Sequence, residues 1–334
     1  MEVRVTLDGQ HYDVVVIGGG VAGLAAAQYA ALAELRTVVL EGTGIGGQCL
    51  HIGALENYPG VDPPPNGLDF AQTLQSQAER FGARVVASQA LRIDKDEAFR
   101  VETTDGRIDS LIVILATGAT HRTLGVPGEA ELAGRGVSYC ATCDGPFFRD
   151  RPVIVVGGGD SACDEALFLA GLTDRVTIIH RGPKLSAQRG LASRVLAHPA
   201  IDVRFNATVR RIDGAASRYG FDTVSGVVVD VGGSVQTIAA NAVFVFIGST
   251  PRTDLVPTLP KDHDGRVITD EHMETTVRGL FAVGEVRRTP WRQLVVAAAE
   301  GAIAANRSAW RIETDQLGFA DNRSTGILSP CDCS

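Results

Sequence analysis

No apolar stretch in this 334-residue chain reaches the roughly 18 residues that a membrane-spanning helix needs. The opening residues, Met1 to Gln10, are mixed and charged. They lack a basic segment followed by an apolar one, so no secretory leader is expected and the cytoplasm is the expected compartment. There is no long basic run, and the formal net charge is −8, which argues against a nucleic-acid partner. Low-complexity segments and short-period repeats are also missing. Histidine is sparse, at seven residues without a cluster, and cysteine is limited to six: Cys49, Cys140, Cys143, Cys163, Cys331 and Cys333. In a leaderless chain of this size, so few cysteines point to redox or metal chemistry before structural disulfides.

Hydrophobic residues make up 45% and charged residues 21%, the balance of a soluble globular protein. The length suggests about two domains. Much of the glycine sits in short clusters, the pattern of tight turns against a ligand.

A compact apolar run, Tyr12 to Ile17, leads into Gly18-Gly19-Gly20. A helical stretch over 21–35 follows, then a strand from Thr37 that ends at Glu41. This is a βαβ unit. Gly18 permits the tight turn, Gly20 lets a pyrophosphate approach the backbone, and Gly23 allows close packing of helix on strand. Glu41 stands 18 residues after Gly23, where an acid can hydrogen-bond a ribose hydroxyl. A second copy starts at Val153. Its turn is Gly157-x-Gly159-x-x-Ala162, its helix is expected over 160–172, and its next strand ends in His180-Arg181. A basic ending in place of an acid suits a 2′-phosphate, and so NADP(H).

The expected fold class is therefore α/β, with two Rossmann-like nucleotide-binding domains. Alternating segments over 84–107 and 203–235 are read as a small antiparallel excursion in each. The boundaries place one discontinuous domain at 1–122 and 247–334, and an inserted domain at 123–246.

Cys140-Ala-Thr-Cys143-Asp144 carries the chemistry. Two cysteines three apart at a helix start can close a small disulfide ring, and a helix N-terminus lowers thiolate pKa. Zinc needs about four ligands, and the nearest other pair, Cys331-x-Cys333, lies at the far end of the chain. Redox chemistry is the favoured reading, and no metal is expected. Cys163 and Cys49 read as buried structural residues. His51, His121 and His263 read as surface residues. The tail pair Cys331/Cys333 has two readings, an outward electron relay from Cys140 or an ordinary chain end.

GGGVAGLAAA, GIGGQ (Gly44 to Gln48), ENYPG (Glu56 to Gly60), LATGA, CATCDG, VVGGGDSA, IGSTPRT, and FAVGE followed by WRQ occur in that order. Together they resemble the low-molecular-weight thioredoxin reductases over essentially the whole chain to about Ala305. The resemblance implies FAD on the first domain and NADPH on the inserted one, with rotation between them and homodimer formation. It implies that Cys143 faces the flavin, that Cys140 attacks the disulfide of a thioredoxin-like partner, and that Asp144 moves the proton. Gly46, Gly47, Gln48, Asn57, Thr117, Gly118, Gly284, Glu285, Arg292 and Gln293 fall on positions that line the FAD. Asp160, Ser161, His180 and Arg181 fall on the nicotinamide side. Two departures stand out. The family's further arginines after His-Arg are Gly182 and Ser186 here, with Lys184 or Arg189 as possible substitutes. Its usual Gly-Asp at the ribityl chain is Gly284-Glu285. The first departure keeps a rival enzyme function open, a dithiol oxidase or ferredoxin-dependent reductase; the rival outside enzymes is a flavin redox sensor.

Overall fold

The computed structural model describes residues 7–316, except 53, 54, 56, 64 and 217–221. Glu56, Cys331 and Cys333 lie outside the described residues. In chain order the elements begin with β1 (Gln10–Ile17), α1 (Val21–Leu32), β2 (Thr37–Glu41), α2 (Gly67–Arg80), β3 (Arg84–Ala87), β4 (Ala90–Lys95), β5 (Phe99–Thr103) and β6 (Gly106–Leu115). Then come β7 (Ala119–His121), β8 (Val137–Ser138), α3 (Ala141–Asp144), β9 (Val153–Gly157), α4 (Asp160–Ala170), β10 (Val176–Ile179), α5 (Arg189–Ala197) and β11 (Ile201–Arg204). The chain continues through β12 (Ala207–Ala216), β13 (Asp222–Val231), β14 (Ser234–Ala239), β15 (Ala242–Phe246), β16 (Ser249–Pro251), β17 (Leu280–Ala282) and α6 (Leu294–Gln316). No helix among the described residues is long and apolar enough to cross a membrane.

The chain divides into two compact units. One takes the residues through Cys49, Leu68–Gly118 and the chain from Pro251 on; the other takes Leu50–Gly67 and Ala119–Thr250. Leu50–Gly67 thus clusters with the second unit, and the chain returns to the first at Leu68.

In the first unit the sheet runs β3-β2-β1-β6, and β17 pairs in parallel with β6. Both faces are covered. Val14 and Val16 pack with the alanine face of α1 and with α6, while Val15 and Ile17 pack with Leu40, Leu115 and Val267 on the other side. That two-sided burial is why β1 reads as a continuous apolar run. The second unit repeats the plan as β11-β10-β9-β15-β8, all parallel. Ile154 and Val156 face one core, Val153 and Val155 the other. Both units are thus doubly wound, with the glycine-turn strand in the centre and the strand order reversing beside it.

Each unit also carries an antiparallel excursion, with a correction to its extent. In the first, β4 and β5 run antiparallel onto β6, but β3 is a parallel edge strand beside β2. In the second, the meander is β12-β13-β14, and β11 is a parallel edge strand beside β10. The first helix stops at Leu32, three residues short of the expected Leu35, because Glu34 takes a left-handed φ of 61°. The helix of the second unit ends at Ala170, short of the expected Leu172.

Candidate active site

The two glycine turns are built alike. Gly18 has φ +111°, and a Cβ there would lie 2.3 Å from the Ala116 carbonyl oxygen just past β6. Gly157 has φ +143°, and a Cβ there would lie 2.2 Å from the Phe246 oxygen at the end of β15. Each first glycine therefore presses on the neighbouring strand where only glycine fits. Gly23 is packed from below, since a Cβ would come within 2.0 Å of the Gly18 oxygen. Gly20 is different. The nearest atom to its missing Cβ is 4.0 Å away, so the outer side of the turn is open for a ligand's approach.

Glu41, at the end of β2, anchors this turn. Its Oε2 accepts the Gly19 amide at 2.7 Å, and its Oε1 accepts the Thr43 amide at 2.8 Å and the Thr43 hydroxyl at 2.9 Å. Burial alone raises the Glu41 carboxyl, but the hydrogen bonds from Gly19, Thr43 and Gly44 outweigh it and hold the group below its ordinary value. The carboxylate is thus ionised, and Oε2 keeps one acceptor site for a hydroxyl. The loop with Gly46, Gly47 and Gln48 lies beside it, with the Gly46 amide donating to the Gly19 oxygen at 2.9 Å. Cys49 closes this loop, fully buried, its thiol donating to the Gly46 oxygen and its pKa pushed up to about 11 by burial.

Three further groups gather in the first unit. The Thr117 hydroxyl donates to the Arg252 oxygen at 2.6 Å, beside Gly118 with φ +65°. Gly284 takes φ +72°, and its amide donates to Glu300 Oε2 at 2.7 Å. Buried Arg266 donates to the Glu285 carbonyl, and its pKa is lowered by burial and then by nearby Arg292, so Arg266, Glu285 and Arg292 form one cluster. Arg292 is exposed and Gln293 half-buried. Asn57 belongs to the second unit and is exposed.

The second unit holds the cysteines. Cys140 and Cys143 form a disulfide, with Cα atoms 5.4 Å apart. Cys140 caps α3, and its sulfur accepts the Cys143 amide at 3.1 Å. Such a bond favours the thiolate once the pair is reduced. Cys140 is 7% exposed, whereas Cys143 is exposed. Ser138, buried at the end of β8, fixes the capping residue: the Cys140 amide donates to its Oγ, which in turn donates to the Cys140 oxygen. Buried Glu129 reaches the same place, accepting the Tyr139 hydroxyl at 2.8 Å and the Leu124 and Gly125 amides at 2.8 and 2.7 Å. Sequence reasoning missed Ser138, Glu129 and Glu300, since a lone serine or glutamate carries no spacing signal. His121 is not the surface residue expected; it is half-buried and its ring stacks on Tyr139 at 6.1 Å. His263 is exposed, and the His51 side chain lies outside the description.

At the second glycine turn, the chain after β10 folds back. The Ser186 amide and hydroxyl both donate to the Gly158 oxygen, at 2.7 and 3.1 Å. Gln188 donates to Asp160 through its amide at 2.7 Å and its side chain at 2.9 Å. The His180 ring covers Gly158, and its Nε2 lies 2.9 Å from the Lys184 oxygen. Arg181, Lys184 and Arg189 are exposed around this loop, and Ser161 is exposed beside Ala162. Cys163, one residue on, is fully buried with its pKa pushed up to about 11, chiefly by burial.

Two dinucleotide turns, with a Cys-x-x-Cys disulfide in the unit of the second, define a nucleotide-dependent disulfide oxidoreductase. The family model described as pyridine nucleotide-disulphide oxidoreductase matches residues 12–301. The chain is 48% identical to the thioredoxin reductase of Treponema pallidum, over 91% of this chain and 98% of that protein. Its fold superimposes on Lactococcus lactis thioredoxin reductase with a TM-score of 0.85 and 37% identity, covering 91% of this chain and 99% of the other. Thioredoxin reductase of T. acidophilum gives the same score at 30% identity, again over 91% and 99%. The chain belongs to the pyridine nucleotide-disulphide oxidoreductases and, among them, to the thioredoxin reductases, enzymes that depend on FAD and NADPH.

Proposed function

We propose that this enzyme passes electrons from NADPH through FAD to the Cys140–Cys143 disulfide, and on to the disulfide of a thioredoxin-like protein. The observation that carries the reading is the closed disulfide capping α3 in the unit that holds the second glycine turn. When bound, FAD carries the electron pair between nicotinamide and disulfide. The open side of Gly20 and the remaining acceptor site on Glu41 fit a pyrophosphate and a ribose hydroxyl. Gly18, Gly23, Gly46, Gly47, Gln48, Thr117, Gly118, Gly284, Glu285, Arg292 and Gln293 complete the FAD side, on the domain of 1–122 and 247–334. Gly157, Gly159, Asp160, Ser161, Ala162, His180 and Arg181 hold NADPH on the domain of 123–246. Cys143 receives the electrons and Cys140 attacks the partner's disulfide, with Asp144 holding the proton. Thiol chemistry of this kind belongs in the reducing cytoplasm. Exposed Tyr29 and Leu32 on α1, with Ile303 and Trp310 on α6, are suited to a homodimer contact.

Anaerobic mixing tests the reading. NADPH should bleach the yellow protein rapidly and, with thioredoxin added, sustain turnover. Bleaching by dithiols alone would transfer the assignment to a dithiol oxidase, a reading favoured by the Ser186 hydroxyl being bonded to the Gly158 oxygen. The purified protein should also release FAD on heating, identified by chromatography; FMN, or no flavin, sinks the cofactor assignment.

The nicotinamide side carries its own expected result. Ser186→Arg should lower the Michaelis constant for NADPH by about one to two decades, the worth of one charge-assisted phosphate contact. The loop tolerates the change because the Ser186 amide, not only the hydroxyl, holds the Gly158 oxygen. Gly182→Arg is the poorer test, since its Cβ would lie 2.8 Å from His180 Nε2. An unchanged constant in Ser186→Arg, already in the low micromolar range, would assign the phosphate to Lys184 or Arg189.

A further inference from the structure

We infer that Glu300 is a positioning residue for the flavin: its carboxylate fixes the Gly284–Glu285 turn against the first turn of α1. This rests on the assignment of the first unit to FAD. Glu300 lies on α6 and is 5% exposed. Its Oε2 accepts the Gly284 amide at 2.7 Å, and its Oε1 accepts the Arg287 guanidinium, which also donates to the Thr269 hydroxyl at 2.8 Å. The next residue, Gly301, pins this part of α6 to α1: a Cβ there would come within 2.2 Å of the Ala22 oxygen and 2.9 Å of the Ala26 nitrogen. Gly284 itself sits close to the same residue, since its Cβ would lie 3.0 Å from Ala22 Cβ. One pair, Glu300-Gly301, therefore joins two parts of the proposed cofactor site. Gly301 locates α6 on the helix that opens at Gly20, and Glu300 locates the 284–287 turn on α6.

The remaining face of the turn is held by Arg266, which donates to the Glu285 carbonyl. Glu285 thus has its amide side tied through Gly284 to a buried carboxylate and its carbonyl side tied to a buried guanidinium. Gly284 takes a positive φ that a side chain resists, so the turn keeps a conformation that these bonds select. The consequence is for the side chain of Glu285, one methylene longer than the aspartate usual in the family. Its aim toward a ribityl hydroxyl depends on a backbone held from both sides. Arg287 gives the Glu300 carboxylate its charge partner, as a buried carboxylate requires.

Two conservative variants test the bonds. Glu300→Gln keeps the chain length but has one oxygen for two donors, so its NH2 must face either the Gly284 amide or the Arg287 guanidinium. Glu300→Asp keeps the charge but withdraws it by one methylene. Each should weaken FAD binding about tenfold or more, the worth of one charge-assisted bond. The readout is the FAD dissociation constant, from quenching of flavin fluorescence on reconstitution of each apoprotein. NADPH binding to the second unit, measured in the same preparations, should stay unchanged. Wild-type FAD affinity in either variant overturns the inference. A wild-type apoprotein that takes up no FAD overturns the cofactor assignment itself.

Discussion

Cys143→Ser should lose disulfide turnover by at least about a thousandfold and show no long-wavelength absorbance, whereas Cys140→Ser should lose turnover equally but gain that band. The difference follows from which sulfur each variant leaves behind. With Cys140 replaced, Cys143 remains as a free thiol; it is the exposed member of the pair, and the one assigned to meet the flavin. With FAD bound, the Cys143 thiolate would supply the band. With Cys143 replaced, the remaining sulfur is that of Cys140, only 7% exposed and turned toward the amide of residue 143 at 3.1 Å. That amide favours the Cys140 thiolate and suits it to attack on a partner's disulfide. The other described cysteines do not confuse the experiment. Cys49 and Cys163 are fully buried with pKa values pushed up to about 11, so neither supplies a thiolate at neutral pH. Identical spectra and unchanged turnover in both variants would remove the pair from the reaction.

Both nucleotide turns were legible because each needs glycine for a reason that leaves a mark in sequence: Gly18 and Gly157 press on a neighbouring carbonyl, and the strands before them are buried on both faces. The cysteine pair was legible because three-residue spacing across a helix cap is itself the closure geometry. The excursions were read too broadly for an equally physical cause. β3 and β11 are edge strands, partly or fully exposed along their length, so they alternate like antiparallel strands although they pair in parallel. What stayed hidden were buried carboxylates whose partners lie far along the chain. Glu274 meets Arg311 across 37 residues, and Glu300 meets the Gly284 amide across 16. No periodicity predicts such pairs, because the packing of α6 creates them.

Glu165→Gln should stabilise the protein increasingly as pH rises from 5 to 8. Glu165 lies on α4, with its Oε2 buried and without a hydrogen-bond partner among the described groups. Helical spacing puts it one turn before Phe168 and Leu169, which lie within 3.4 Å of where a Cβ on Gly145 would stand. It therefore sits on the stripe of α4 that faces α3 and the residues just after it. Beneath the helix, β9, β10 and β15 carry no charged side chain. Burial first, and Asp164 second, push the Glu165 carboxyl up from 4.5 to about 8. Between those values the unfolded chain gives up this proton and the folded chain keeps it. Stability therefore falls with rising pH across the window, and the cost is absent below about 4.5. At about 1.4 kcal/mol per unit, the change from pH 5 to pH 8 is on the order of 4 kcal/mol. Glutamine is neutral throughout, so the variant escapes this cost. Any penalty for burying its amide is the same at every pH and cancels in the comparison. Denaturant titrations of both proteins at pH 5 and pH 8 measure the difference. A gap between them that does not change with pH would show that Glu165 is ionised in the folded protein and held by a partner that compensates its charge.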